Sequence, residues 1–186
     1  MSKIAKFGPG GNCNAFRAAG GKSTLQAPGF VKSMGLDAYE YEAGNGLAAS
    51  SSMLKLIGEE ASKNNIKMSY HAPYFISLSS VEEEKRLKSV DYILQSAFAA
   101  DMLGGNRIIV HTGSCGKISR EEALSLATDT MKKAVSALDS EGLSNIRICP
   151  ETMGKSAQIG TVEEITEFCK IAPFYIPTID FGHINA

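Results

Sequence analysis

Three histidines and two acids in this chain share one kind of position: each ends, or closely follows, a short apolar run. His71 follows residues 67–70, His111 follows 107–110, Glu151 follows 147–150, and Asp180 and His183 follow 175–179. His71, His111 and Glu151 are spaced 40 residues apart, and Asp180 lies 29 residues beyond Glu151. A lone histidine at a strand end is commonly a hydrogen-bonded structural residue, but repetition at equivalent positions points to one site assembled from several strands. Imidazole with carboxylate is the ligand mix of zinc and its neighbours. Five such groups exceed what one four-coordinate zinc uses. The surplus points to several ions with a carboxylate such as Glu151, the candidate catalytic residue, between them, and to water activated near neutral pH.

The elements that must position these residues read as six short apolar strands, at 4–8, 38–42, 66–70, 107–110, 146–150 and 175–179. Short apolar runs suit strands buried on both faces. Between them lie stretches of helical period, three of them opened by capping-box pairs: Ser80 with Glu83, Ser119 with Glu122, and Thr161 with Glu164. The helix after Ser80 is expected to bury Leu87, Val90, Leu94 and Phe98, and the next to bury Leu124, Ala127, Met131, Val135 and Leu138. Gly104-Gly105 and Gly142 stand where helix C-caps belong. Alternating strands and helices imply an α/β fold, here a TIM-type (β/α) barrel, whose chemistry sits at the C-terminal strand ends. A closed barrel takes about 250 residues. The 186-residue chain is therefore expected to be a single domain, 1–186, holding an incomplete barrel of about six parallel strands and lacking the last ones.

Composition narrows the class. The chain is 44% hydrophobic and 21% charged, with a formal net charge of −1, so its bulk charge carries no nucleic-acid signal. No apolar run reaches the roughly 18–20 residues of a membrane span, and no membrane partner is expected. Cys13, Cys115, Cys149 and Cys169 form no Cys-x-x-Cys pair, which fits a reduced, cytoplasmic protein, with Cys149 a core residue.

Charge placement adds a second signal. The loops leaving the strand ends, about 9–27, 72–79, 112–119 and 152–160, contain Arg17, Lys22, Lys117 and Lys155 and not one carboxylate. Such a face suits an anionic substrate. Tyr74 and Phe75 are loop aromatics that can stack on a base or pack beneath their own loop. The glycines at 8, 10, 11, 20 and 21 match no phosphate-binding spacing and read as a mobile substrate loop. One of Glu40 and Glu42 is expected to face the barrel mouth.

Four segments, Ser69-Tyr70-His71-Ala72-Pro73-Tyr74, Ile109-Val110-His111-Thr112-Gly113-Ser114, Pro150-Glu151-Thr152-Met153-Gly154 and Ile179-Asp180-Phe181-Gly182-His183, together resemble the successive zinc motifs of endonuclease IV. These are apurinic/apyrimidinic endonucleases of the xylose-isomerase-like barrel superfamily. The resemblance implies a zinc-dependent DNA-repair hydrolase that cleaves the phosphodiester 5′ to an abasic site in double-stranded DNA. It implies up to three zinc ions: His71, His111 and Glu151 on one, Glu151 and Asp180 on a second, His183 on a third. It makes Tyr74 a DNA-contacting loop residue, with Arg17, Lys22, Lys117 and Lys155 as weaker DNA-binding candidates. The family's later ligands have no counterpart before Ala186. Incomplete zinc binding, weak or no nuclease activity, and self-association through exposed barrel edges are the corresponding expectations. The alternative is a divalent-metal sugar isomerase or epimerase on the same barrel; a non-catalytic metal-binding fragment is the third.

Overall fold

Strands and helices alternate along the computed structural model, which describes residues 5–185. α1 (Asn14–Ala18) and a 3-10 turn (Thr24–Gln26) lead into α2 (Ala27–Ser33), β1 (Ala38–Glu42) and α3 (Ser51–Lys63). There follow β2 (Lys67–His71), α4 (Glu83–Met102), β3 (Arg107–Val110), α5 (Arg120–Ser140), β4 (Arg147–Pro150), α6 (Val162–Phe168) and α7 (Phe181–Ile184). β1 to β4 form one parallel sheet in sequential order, joined by helical crossovers as parallel strands require. No helix among the described residues is long and apolar enough to cross a membrane.

Among the described residues, four strands stand where six were expected. The two outer runs still lie along the sheet, each as a single parallel bridge: Gly10 beside Glu40, and Thr178 beside Glu151. Of the run at 4–8, residue 4 lies outside the described residues. At Gly8 a side chain is impossible, because a Cβ would fall 1.6 Å from the Ala38 carbonyl oxygen. Pro9 has no N–H to give to the ladder along β1, whereas Pro177 lies between Ile176 and Thr178, whose N–H groups donate to Ile148 O and Pro150 O. The glycine-rich segment expected as a mobile loop is instead folded along β1: Gly11 donates to Glu40 O at 2.9 Å, and the chain then enters α1.

The helix starts follow the capping chemistry in two cases of three. Thr161 and Glu164 form the full reciprocal box, and the Ser119 hydroxyl accepts from Glu122 N. Ser80 does not cap α4. The helix begins at Glu83, and the Ser80 hydroxyl instead accepts from Glu82 N at 3.2 Å within the preceding turn. Of the stripe expected on α4, Val90 is buried and Leu94 half-buried, but Leu87 (47%) and Phe98 (39%) are exposed, and Ser89, Ile93, Ser96, Ala97, Ala99 and Ala100 face inward beside Val90. The reason is proximity. α4 lies between α3 and α5 and against β2 and β3, where small residues let backbones approach; a Cβ at Gly58 of α3 would lie 2.7 Å from Met102 O. Gly104 and Gly142, at φ of 69° and 70°, end α4 and α5 in the left-handed conformation.

The strands present two unlike faces. Tyr39, Met68, Tyr70, Ile108, Val110 and Ile148 pack under the helices in the apolar core. The alternate residues form a row across the inner face, Glu42, His71, Ile109 and Cys149, each paired with the next in register. His111 and Glu151 lie two residues further along their strands, at the C-terminal rim.

The observed burial predicts that Ile93→Ala, which empties a fully buried site on α4, costs about 2–5 kcal/mol, whereas Leu87→Ala costs under about 1 kcal/mol. Urea unfolding of the two variants measures this; equal losses would restore the stripe read from helical period.

Candidate metal centre

The rim gathers residues distant in sequence. His71 ends β2, His111 directly follows β3, and Glu151 directly follows β4. Asp180 is the N-cap of α7 and His183 lies within that helix. His71 Nε2 and His111 Nε2 lie 3.5 and 3.0 Å from the same oxygen, Glu151 Oε2. Ligand atoms of His71, His111 and Glu151 all fall within 4.8 Å of one another, and so do those of Glu151, Asp180 and His183. Glu151 belongs to both groups.

Neighbouring carbonyls fix two of the imidazoles. His71 Nδ1 lies 2.8 Å from Ala72 O, and His183 Nδ1 lies 2.9 Å from Thr152 O. A carbonyl only accepts, so each Nδ1 carries the hydrogen, leaving Nε2 of the neutral ring as a lone pair. In His71 that lone pair faces a carboxylate oxygen. Glu151 Oε2 is itself buried and has no hydrogen-bond partner besides these two imidazole contacts. Lone pairs turned onto an unpartnered carboxylate need a cation among them, either a proton or a metal. Two imidazoles and one carboxylate leave a coordination position open, the pattern of catalytic rather than structural zinc. The donor set therefore fits a divalent ion.

Without a metal, protons take that role. Burial would raise the Glu151 carboxyl, but His111 and His71 outweigh it and lower the group to about 2. Burial would lower His71, but Glu151 and the Ala72 carbonyl outweigh it and raise the imidazole to about 8.

These five residues line a cavity of about 420 Å³ together with Glu40, Glu42 and Tyr74. Both acids of β1 face it, where one was expected, because positions two apart on a strand share a face. Burial raises the Glu40 carboxyl although the Ser69 hydroxyl donates to it at 2.7 Å. Arg17, Lys22, Lys117 and Lys155 are exposed, and none of them lines the cavity. The expected basic face is thus confined to the outer loops, and the cavity itself is acidic. Tyr74, 53% exposed, lies across the histidines, stacked on His111 at 5.2 Å and edge-on to His71 at 5.1 Å. Phe75 packs edge-on to Tyr92.

Thr152 is a site residue that the spacing pattern passed over. Fully buried, it accepts from Asp180 N through Oγ1 at 2.8 Å and from His183 Nδ1 through its carbonyl. Its only sequence signal is adjacency to Glu151. Arg120 braces the loop that follows, donating to Ser156 O, Gln158 O and the Glu164 carboxylate.

Residues 28–186 match the family model described as the xylose isomerase-like TIM barrel. An uncharacterized protein of Methanocaldococcus jannaschii is 30% identical over 162 residues, covering 87% of this chain and 58% of that protein. A probable endonuclease 4 of Acholeplasma laidlawii is 34% identical over 97 residues, covering 51% of this chain and 32% of that protein. The solved structure of D-psicose 3-epimerase with D-tagatose, from Clostridium cellulolyticum, superposes with a TM-score of 0.72 at 15% identity, over 88% of this chain and 60% of that one; the likeness is one of fold. The chain spans between one third and three fifths of the length of these two sequence relatives. With parallel strands β1 to β4, helical crossovers and a polar rim at the C-terminal strand ends, the chain belongs to the xylose isomerase-like TIM barrel family.

Proposed function

We propose that this chain carries the zinc site of an endonuclease that hydrolyses the phosphodiester 5′ to abasic sites in double-stranded DNA. The observation that carries this reading is the convergence of His71 and His111 on one unpartnered oxygen of Glu151. Bound zinc supplies Lewis-acid stabilisation of charge developing on phosphate oxygens and activates water for attack. His71 and His111 would hold one ion with Glu151. Asp180 would hold a second, to which Glu151 would also contribute. His183, which the endonuclease IV resemblance assigns to a third ion, stands with Asp180 and Glu151 here. The Thr152 hydroxyl and carbonyl orient Asp180 and His183. The lysines and Arg17 of the outer loops contribute at most to DNA approach.

One observation favours a second reading, a divalent-metal sugar isomerase or epimerase. Glu40, Glu42, Glu151 and Asp180 surround a cavity of about 420 Å³, and so many carboxylates suit a neutral polyol better than a bare polyanion. Glu40, with its raised affinity for a proton, would then exchange the substrate proton. Incubation with an abasic-site duplex and with simple ketoses, each with and without chelator, separates the two. The nuclease reading expects incision that stops with chelator; chelator-sensitive ketose epimerisation without incision establishes the alternative.

Two further outcomes follow. Thr152→Val removes the hydroxyl acceptor of Asp180 N and should weaken metal binding about tenfold; unchanged affinity in a chelator competition would contradict its orienting role. The second outcome concerns pH in the metal-free chain. His71, raised from 6.5 to about 8, contributes stability that is complete below 6.5 and lost as pH rises through 8. Glu151, lowered from 4.5 to about 2, contributes stability present above 4.5 and lost as pH falls through 2. Thermal melts in chelator should show the wild-type advantage over His71→Asn shrinking between pH 6 and about 8.5, while apparent zinc affinity rises over the same interval. An advantage that is constant with pH would contradict the pairing.

A further inference from the structure

His111 differs from the other two imidazoles of the rim. The ring nitrogens of His71 and His183 are each fixed by a backbone carbonyl, whereas among the described residues no carbonyl holds the second nitrogen of His111, whose Nε2 faces Glu151. A ligand histidine is ordinarily oriented by a hydrogen bond to its second nitrogen. What lies against His111 instead is the Tyr74 ring, stacked at 5.2 Å with an interplanar angle of 24°. Tyr74 is in turn seated by the loop after β1. Its N–H donates to Gly44 O at 2.9 Å, and its hydroxyl reaches Glu42 Oε2 at 3.4 Å. A Cβ at Gly44 would lie 2.0 Å from the Tyr74 ring, inside the space the ring occupies. No left-handed backbone demands glycine there, since Gly44 is absent from the positive-φ residues. The missing side chain makes room for the aromatic.

We infer that Gly44 and Tyr74 form a socket and plug that orient His111 as a metal ligand, the stacked ring taking the place of the usual hydrogen bond. Both are positioning residues acting through His111. The inference rests on the metal reading of the site, but not on which bond the enzyme cleaves. An aromatic face also admits a change that a carbonyl does not. With Tyr74 half-exposed at the mouth, a substrate group that displaces the ring frees His111 to adjust, so ligand geometry and substrate binding are coupled at one side chain.

The test uses cobalt(II) as a spectroscopic probe and the ring-proton NMR shifts of the histidines, in wild type, Tyr74→Phe, Tyr74→Ala, Gly44→Ala and the Gly44→Ala/Tyr74→Ala double variant. Tyr74→Phe should keep the wild-type cobalt affinity, visible spectrum and His111 shift. Tyr74→Ala should weaken cobalt binding by about tenfold and move the His111 ring protons most, through loss of the aromatic ring current. Gly44→Ala should reproduce that loss in the wild-type background and add nothing in the Tyr74→Ala background. Gly44→Ala with wild-type affinity and shift would overturn the inference. So would a Gly44→Ala loss that persists undiminished without Tyr74, because it would then arise in the backbone. If wild type takes up no cobalt, the metal reading falls and this inference with it. Cobalt uptake without these variant effects removes the socket alone.

Discussion

A buried carboxylate oxygen with two imidazole nitrogens turned toward it and no hydrogen bond of its own is the constraint that organises this molecule. An ionised acid withdrawn from water is costly unless a positive partner compensates it. Glu151 Oε2 has only His71 and His111 at hand, and the Ala72 carbonyl has already claimed the His71 hydrogen. A cation resolves the conflict. The inner-face row through Glu42, His71, Ile109 and Cys149, with His111 and Glu151 beyond it, brings the three groups to the rim from three adjacent strand ends. Shifting any one strand by a single residue would turn its ligand into the helix layer.

Around that point the loops do small, separate jobs. Ala72 and Thr152 offer carbonyls to His71 and His183, the cap of α7 takes one oxygen of Asp180, and Gly44 leaves space for Tyr74. All lie within a few residues of a strand end, where a barrel keeps its chemistry while the helix-packed core supplies rigidity. The charge pattern has a consequence for substrate choice. Four carboxylates border the cavity and the free basic side chains stand outside it. On the endonuclease reading, attraction for a phosphate would have to come from cations held within the site, and specificity for DNA from the surrounding loops.

The residues gathered at the rim were legible in the sequence because they obey a simple rule: apolar run, then histidine or acid, with His71, His111 and Glu151 spaced 40 residues apart. β1 and β3 coincide with their apolar runs, β2 is shifted by one residue from its run, and β4 starts one residue later than its run. The outer runs were harder. Their apolar character is real, but Pro9 gives the first ladder no N–H, and pairing is a property of two segments rather than one. On α4 helical period places Val90 correctly but not Leu87 and Phe98; the rest of the contact is made by Ile93 with alanines and serines, whose value lies in letting helices approach. Glu42 and Glu40 could be placed together from their spacing of two, yet their facing the same cavity as His71 depends on register. Nothing in the sequence marks Gly44 as the seat of Tyr74, since its role is an absence of atoms at a place set by tertiary packing.

X-ray absorption at the zinc edge of the purified, zinc-loaded chain probes the shared cation most directly. A first shell of nitrogen and oxygen at about 2.0–2.2 Å, with the multiple-scattering signature of two imidazoles that drops to one in His111→Ala, is the predicted result. Sulfur scatterers at about 2.3 Å, or a shell without imidazole, would place the ion elsewhere and contradict the convergence of His71, His111 and Glu151 on one metal.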